Sequence, residues 1–167
     1  MVDVDWQRLS ALAVEAMERA YCPYSGFPVG AAGLTADGRL VSGCNVENAG
    51  YGCTLCAECS MVSELVRTGG GRLVAVACVN GNKEPVAPCG RCRQVIYEHG
   101  GDECVVLMPA GAMTMREVLP GAFGPDDLGE VAGAPRLRAR GGGARAVPAP
   151  SRTEITEEGR DGTVRRG

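Results

Sequence analysis

The sequence predicts a single α/β domain followed by a tail of different composition. Helical and strand-like hydrophobic patterns alternate along the first 128 of the 167 residues, and 45% of all residues are apolar, which suffices for one modest core. From residue 129 onward Gly, Pro, Ala and Arg dominate, and bulky apolar side chains are scarce. We therefore expect a domain of helices covering a sheet over residues 1–128, and a disordered tail over residues 129–167.

The first elements are predicted to be a helix and a β-hairpin. Between residues 4 and 20 the apolar side chains recur every three or four positions, which is the pattern of an amphipathic helix. Residues 28–34 are small and apolar enough for a buried strand. The Asp37-Gly38 pair that follows is a hairpin signal, so residues 39–43 are expected to form the returning strand.

Helices and strands alternate through the rest of the domain. After a polar loop at residues 45–52, we expect Thr54 to cap a helix over residues 55–67, which three glycines close. The further predicted elements are a strand at 73–79, a helix at 89–99 after Pro88, a strand at 104–108, a short strand at 112–115 and a helical turn at 115–119. This order is typical of an α/β domain.

Charge and cysteine content narrow the function classes. Residues 1–128 carry nine basic and fifteen acidic side chains, a net charge of −6, whereas nucleic-acid binders usually cluster Lys and Arg on one face. No apolar run approaches the length of a membrane span. The nine cysteines come without a signal segment in residues 1–5, so we expect a reducing cytoplasm, where cysteines are more often metal ligands or small buried side chains than disulfides.

Two stretches about thirty residues apart hold the candidate chemistry. The first contains Cys56 and Glu58, and the second contains Cys89 and Cys92. Zinc held by three protein ligands keeps a fourth position for water, and a carboxylate beside it can move protons. The expected placement of Cys56 and Cys89 at helix N-termini, where the helix dipole stabilises thiolates, favours this hydrolytic site.

A structural zinc site is the alternative that the spacing leaves open. Cys53 and Cys59 each lie three residues from Cys56, so either could complete a closed four-thiolate site with Cys89 and Cys92. The protein would then be a non-catalytic interaction module. If the site is instead hydrolytic, the cysteines at positions 22, 44, 53, 78 and 104 are expected to be small buried side chains.

The Cys-Ala-Glu and Pro-Cys-x-x-Cys motifs resemble the zinc nucleobase-deaminase signature in its all-cysteine form. Further segments are similar to the small, homotetrameric cytidine deaminases: Cys-Pro-Tyr-Ser at 22–25, Phe-Pro-Val-Gly-Ala-Ala at 27–32, Gly-Cys-Asn-Val-Glu-Asn at 43–48, Cys-Arg-Gln-Val at 92–95 and the segment 119–128. The resemblance covers about residues 4–128. It implies a three-layer α/β/α cytidine deaminase-like fold with a mixed five-stranded sheet, one Zn²⁺ per subunit, and a homotetramer with sites shared between subunits.

The resemblance also implies hydrolytic deamination of cytidine and deoxycytidine to uridine and deoxyuridine, with release of ammonia. Zinc would be held by Cys56, Cys89 and Cys92, and Glu58 would transfer the protons. The substrate-binding residues that the resemblance implies are Asn45 and Glu47 for the ribose 3′-hydroxyl, Phe27 and Phe123 for the pyrimidine, the Ala57 backbone for the base, and Tyr51 reaching a neighbouring subunit's site.

The sequence departs from the family pattern at Cys59. Many members carry an Arg there that donates to the ligand sulfurs, and three thiolates on one divalent ion leave the site at about −1. Our hypothesis is that Arg91 or Arg93 supplies the missing positive charge, and we expect Cys59 to be a small buried side chain. Residues 89–95 are also similar to deaminases of modified cytosine nucleosides such as blasticidin S, although residues 45–48 and 123–128 favour cytidine.

Overall fold

The computed structural model describes residues 4–130 and confirms the predicted order of elements. The helices and strands are α1 (Trp6–Met17), β1 (Val29–Thr35), β2 (Leu40–Cys44), α2 (Ala57–Arg67), β3 (Leu73–Asn80), α3 (Gly90–Gly100), β4 (Val105–Met108), β5 (Gly111–Thr114) and α4 (Met115–Val118), with short 3₁₀ helices at Tyr51–Cys53 and Asp127–Glu130. The predicted tail lies outside the described residues from position 131 onward. Every helix within residues 4–130 is too short or too polar to span a bilayer.

The five strands form one mixed sheet in the order β2-β1-β3-β4-β5. β3 and β4 are parallel, with Val76 opposite Val106, while the other neighbouring pairs are antiparallel. A parallel pair needs a crossover connection, and here α3 provides it. The predicted mixed five-stranded α/β fold is therefore confirmed.

Helices cover both faces of the sheet because successive strand side chains point to opposite sides. On β3, Ala75, Ala77 and Val79 belong to one core cluster with the buried face of α1, whereas Val76 and Cys78 belong to a second. The second cluster also contains buried residues of α2, α3 and α4: Met61, Leu65, Ile96 and Met115. The result is three layers, with the starts of α2 and α3 on the same face.

Two glycines let helices approach the sheet closely. A Cβ atom on Gly30 of β1 would lie 1.9 Å from the Ala13 carbonyl oxygen of α1. A Cβ on Gly43 of β2 would lie 2.3 Å from the Met61 amide nitrogen of α2. Because Gly30 and Gly43 have no side chain, α1 and α2 can pack this closely against the sheet.

The predicted start of α2 is wrong by two residues. Leu55 does not enter the helix, because its backbone N–H donates to the Val46 carbonyl and its carbonyl accepts from the Val46 N–H, each at 2.9 Å. This bridge keeps the chain extended through Cys56, so Cys56 rather than Thr54 is the N-cap of α2. Likewise Cys89 is the N-cap of α3 and not its first residue.

Candidate functional site

Three cysteine sulfurs converge where α2 and α3 begin. The N-caps Cys56 and Cys89 and the first-turn residue Cys92 place their Sγ atoms within 4.8 Å of one another, and the Sγ atoms of Cys89 and Cys92 are 3.5 Å apart. The Cys56 side chain makes no capping bond to α2, and the Cys89 sulfur contacts the backbone and side chain of Cys92 in the first turn of α3. Unpaired N–H groups and the positive dipole ends of two helices favour negative charge here.

Cys53 and Cys59 do not join this cluster. Among the described residues, the group of candidate ligand atoms that lie within 4.8 Å of one another consists of Cys56, Cys89 and Cys92. Cys53 is exposed in the 3₁₀ helix, against expectation, and Cys59 is half-buried in α2. The geometry therefore offers three sulfurs and an open fourth position, which disfavours the closed four-thiolate alternative.

Burial and neighbouring groups shift the pKa values of the three thiols in different directions. Burial raises the pKa of Cys56, although hydrogen bonds with Cys92 and Arg91 oppose this. Burial also raises the pKa of Cys92, and the negative charge of Glu58 raises it further. For Cys89, burial raises the pKa, but bonds with the Cys92 backbone and side chain outweigh it and the net pKa is lowered.

The donor set itself fits zinc. Three sulfurs about 2.3 Å from one tetrahedral zinc ion would lie about 3.8 Å apart, which is close to the spacing seen here. Thiolates are soft ligands that select zinc over magnesium or calcium. Metal binding requires deprotonated thiols. A bound metal would therefore keep all three cysteines deprotonated, although burial raises the pKa of Cys56 and Cys92.

Glu58 is buried beside the sulfurs, in the first turn of α2. Only 4% of its surface is exposed, and its Oε1 accepts a hydrogen bond from the Cys78 thiol at 3.8 Å. The influence of Glu58 on the pKa of Cys92 reflects their proximity. A carboxylate in this position can accept and return a proton next to a metal without being one of its ligands.

Arg91 reaches the cluster, and Arg93 is directed elsewhere. The Arg91 guanidinium donates to Cys56 Sγ at 3.3 Å and to the Thr54 carbonyl at 3.2 Å, and the bond to Cys56 raises the pKa of Arg91. Arg93 donates instead to the carbonyls of Pro88 and Val118, each at 3.0 Å. Of the two candidates for charge compensation, Arg91 is therefore the one that contacts a ligand sulfur.

The predicted sugar-binding loop is tied to the segment before β1. Asn45 accepts from the Val29 N–H at 2.9 Å and donates to the Phe27 carbonyl at 3.0 Å. Glu47 accepts from the Ser25 hydroxyl and from the backbone N–H groups of Tyr24 and Ser25, and the Ser25 hydroxyl bond chiefly lowers the pKa of Glu47. Phe27, Asn45 and Glu47 thus belong to one connected group.

The aromatic candidates are largely uncovered in the single chain. Phe27 is 51% exposed, Phe123 59% and Tyr51 77%. The ring of Tyr51 meets that of Tyr24 edge-on, with centroids 6.2 Å apart, and the Phe123 carbonyl accepts from the Gln94 side chain of α3 at 2.7 Å. Ala57, by contrast, is buried as the first residue of α2.

Sequence reasoning missed two residues that hold others in place. Cys78 was expected only as a small buried side chain, and it is wholly buried, but its thiol faces Glu58. Gln94 was noted within a motif, yet only the fold shows that it holds the Phe123 backbone. Alternation along β3 could have placed Cys78 on the α2 face, whereas nothing local indicated the partner of Gln94.

The fold and the cluster together define a class, the zinc-dependent deaminases, with three cysteine sulfurs and a buried glutamate at two helix N-termini. Residues 4–108 match the cytidine and deoxycytidylate deaminase zinc-binding region. The chain belongs to this cytidine deaminase family.

Curated relatives agree over most of the chain. A cytidine deaminase of Mycobacterium tuberculosis is 56% identical over 128 residues, covering 77% of this chain and 96% of the relative. One from Halalkalibacterium halodurans is 42% identical over 132 residues, covering 76% and 100%.

Solved structures give the same result. The cytidine deaminase from Mycobacterium leprae superposes with a TM-score of 0.70 at 59% identity, covering 71% of this chain and 99% of that one. The enzyme from Mycobacterium tuberculosis superposes with a TM-score of 0.71 at 56% identity, covering 73% and 99%.

Proposed function

We propose that this protein is a zinc-dependent deaminase that hydrolyses cytidine and deoxycytidine to uridine and deoxyuridine, releasing ammonia in pyrimidine salvage. The observation that carries this proposal is the convergence of the sulfurs of Cys56, Cys89 and Cys92 within 4.8 Å, with the buried Glu58 carboxylate beside them. The relatives support the same reaction, because those quoted above are named cytidine deaminases.

Cys56, Cys89 and Cys92 would hold the zinc ion, whose Lewis acidity makes water a nucleophile near neutral pH. Glu58 accepts the proton that water gives up as its oxygen bonds to C4 of the pyrimidine. The same carboxylate delivers this proton to N3 as the oxygen adds to C4, so that negative charge does not accumulate on the ring. Glu58 then delivers the second water proton to the exocyclic amine, the C4–N bond breaks, and ammonia leaves.

Arg91 offsets the negative charge that three thiolates leave on a zinc site. Its guanidinium lies 3.3 Å from Cys56 Sγ, at the position where positive charge is required. Cys59 occupies the position in α2 where the family pattern often has an arginine, and Arg91 reaches Cys56 from α3 instead. Arg93 instead holds the backbone at Pro88 and Val118.

The substrate contacts follow the connected group on the loop. Asn45 and Glu47 bind the ribose 3′-hydroxyl, supported by the bonds that fix both side chains against residues 24–29. Phe27 and Phe123 contact the pyrimidine, and the Ala57 backbone contacts the base. Exposed aromatic side chains such as Tyr51 support a homotetramer in which subunits complete each other's sites, with one zinc ion per subunit.

Two further assignments complete the proposal. The catalytic domain comprises residues 1–128, with residues 129–167 as an appended tail, and the enzyme acts in the cytoplasm. The domain carries a net negative charge and the proposed substrate is a nucleoside, so we expect no nucleic-acid partner.

Ultraviolet monitoring of cytidine with the purified wild type and a Glu58→Ala variant, together with zinc analysis, tests the reaction. We expect turnover in the wild type, and retained zinc with turnover reduced at least about a hundredfold in Glu58→Ala. A zinc-loaded wild type that leaves cytidine unchanged refutes the proposal. Blasticidin S serves as the comparison substrate, and faster turnover of it than of cytidine would favour the modified-nucleoside alternative.

The ligand set is tested by a matched pair of conservative changes. Cys56→Ser should lose zinc, because serine is a poor ligand at neutral pH, whereas Cys59→Ser should keep it. Both residues lie at the start of α2, so a general effect on the helix would appear in both variants. Zinc retention in Cys56→Ser, or its loss in Cys59→Ser, would contradict the assignment.

A further inference from the structure

A thiol that no metal requires lies against the catalytic carboxylate. Cys78 is wholly buried in the centre of the sheet, and its Sγ is 3.8 Å from Glu58 Oε1. It is not part of the three-sulfur group. Its position on the face of the sheet that packs against α2 and Glu58 therefore needs a separate explanation.

The fold holds Cys78 firmly in this position. Its strand, β3, is hydrogen-bonded on both sides, with Cys78 opposite Ala31 of β1. The Cys78 carbonyl also accepts the Val86 N–H at 3.0 Å. Strand alternation directs the side chain toward α2, where the first turn presents Glu58.

Cys78 can donate a hydrogen bond to Glu58 when the neighbouring Cys92 cannot. An ionised carboxylate is acceptor-only. The nearby Cys92 would be a thiolate with zinc bound and could not donate. Burial, and then the charge of Glu58, raise the pKa of Cys78 well above its usual value, so this thiol keeps its proton.

We propose that Cys78 is a positioning residue for the deamination, whose S–H group donates to Glu58 Oε1 and orients the carboxylate for proton transfer. A thiol is a weak donor, so it restrains the rotamer while leaving the carboxylate free to take up and release protons. This inference rests on the proposed function, since it assumes that Glu58 moves the protons of the reaction.

Steady-state kinetics on cytidine with Cys78→Ala, Cys78→Ser and the control Cys104→Ala test the role. Cys104 is also wholly buried in the same core cluster, so its replacement removes the same atom away from Glu58. We expect Cys78→Ala to lower kcat about three- to tenfold, with KM and zinc content within about twofold of the wild type, as loss of one weak orienting bond predicts. Cys78→Ser, which keeps a donor, should recover part of the loss.

The inference is overturned if Cys78→Ala lowers kcat no more than Cys104→Ala does. A wild type that binds zinc but does not deaminate cytidine would instead refute the proposed function. The two failures are therefore distinguishable.

Infrared spectroscopy of the S–H stretch gives a readout that does not depend on turnover. Subtracting the spectrum of Cys78→Ser from that of the wild type isolates the S–H band of Cys78. The same subtraction between variants that also carry Glu58→Ala gives the frequency of this band when the carboxylate acceptor is absent. We expect the band at lower frequency when Glu58 is present, because donation weakens the S–H bond. An unchanged frequency overturns the inference even if Cys78→Ala proves too unstable to assay.

Discussion

At the residue scale, the contacts of Arg91 distinguish it from Arg93 as the arginine proposed to balance the charge of the site. Arg91 donates both to Cys56 Sγ and to the Thr54 carbonyl, so it binds the ligand and the backbone that precedes it. The first contact offsets charge, and the second fixes the guanidinium. Partners of this kind typically tune metal affinity 10- to 100-fold.

We expect Arg91→Ala to weaken zinc binding by about tenfold or more, because a ligand sulfur loses its charged donor. Competition with a chelator measures the effect. Arg116→Ala is the control, since Arg116 is an exposed arginine that pairs with Asp102 and Glu103. If the two variants bind zinc equally well, charge compensation does not come from Arg91.

The residues proposed to carry the chemistry could be selected from the sequence because their spacing is local. Cys56 and Glu58 share one turn, and Cys89 and Cys92 share another, so a short motif specifies each pair. The choice between Arg91 and Arg93 could not be made in this way. It depends on which side of α3 faces Cys56, and only the packing of α3 against α2 determines that.

At the scale of elements, the observed start of α2 differs from the predicted one because a tertiary contact competes there with helix propensity. The bridge between Val46 and Leu55 keeps residues 55–56 extended, so α2 starts at Ala57. Thr54 is a good capping residue by composition, but local composition carries no information about a partner nine residues away. The same bridge places Cys56 at the cap, where its sulfur is free.

Close packing between α1 and β1 makes Gly30 a position that tolerates no side chain. Gly30→Ala would drive a methyl group into the Ala13 carbonyl, so we expect a loss of unfolding free energy of about 3 kcal/mol or more in urea titration. Gly52→Ala is the control, since a Cβ there meets nothing within 4 Å. Equal stability of the two variants would show that α1 shifts without cost.

At the scale of the whole molecule, the single chain leaves its aromatic site candidates open. Tyr51 is 77% exposed beside Tyr24, whereas the cysteine cluster lies at the base of α2 and α3. In the proposed homotetramer, a neighbouring subunit supplies Tyr51. The described sheet and core could be predicted from hydrophobic periodicity, but the surface where chains meet could not, because exposed residues follow no such period.

Mixing two impaired variants tests whether sites are shared. Glu58→Ala lacks the carboxylate, and Tyr51→Ala lacks the residue that would reach a neighbour. If subunits exchange, mixed assemblies contain sites with an intact Glu58 from one chain and an intact Tyr51 from another. We therefore expect more cytidine turnover from the mixture than from the two separate proteins, and a merely additive rate after confirmed exchange would refute sharing.

A metal that joins the two cysteine N-caps would also restrict the unfolded state of the chain. Cys56 and Cys89 are 33 residues apart in sequence, so a metal that joins them closes a loop containing all of α2 and all of β3. By the chain-entropy relation for cross-links, a loop of this size restricts the unfolded ensemble by about 3–4 kcal/mol. Chelation should therefore lower the urea midpoint as well as abolish turnover, and a midpoint unchanged by chelation would show that zinc does not fasten the fold. A lowered midpoint would show that the ion stabilises the folded chain in addition to taking part in the reaction.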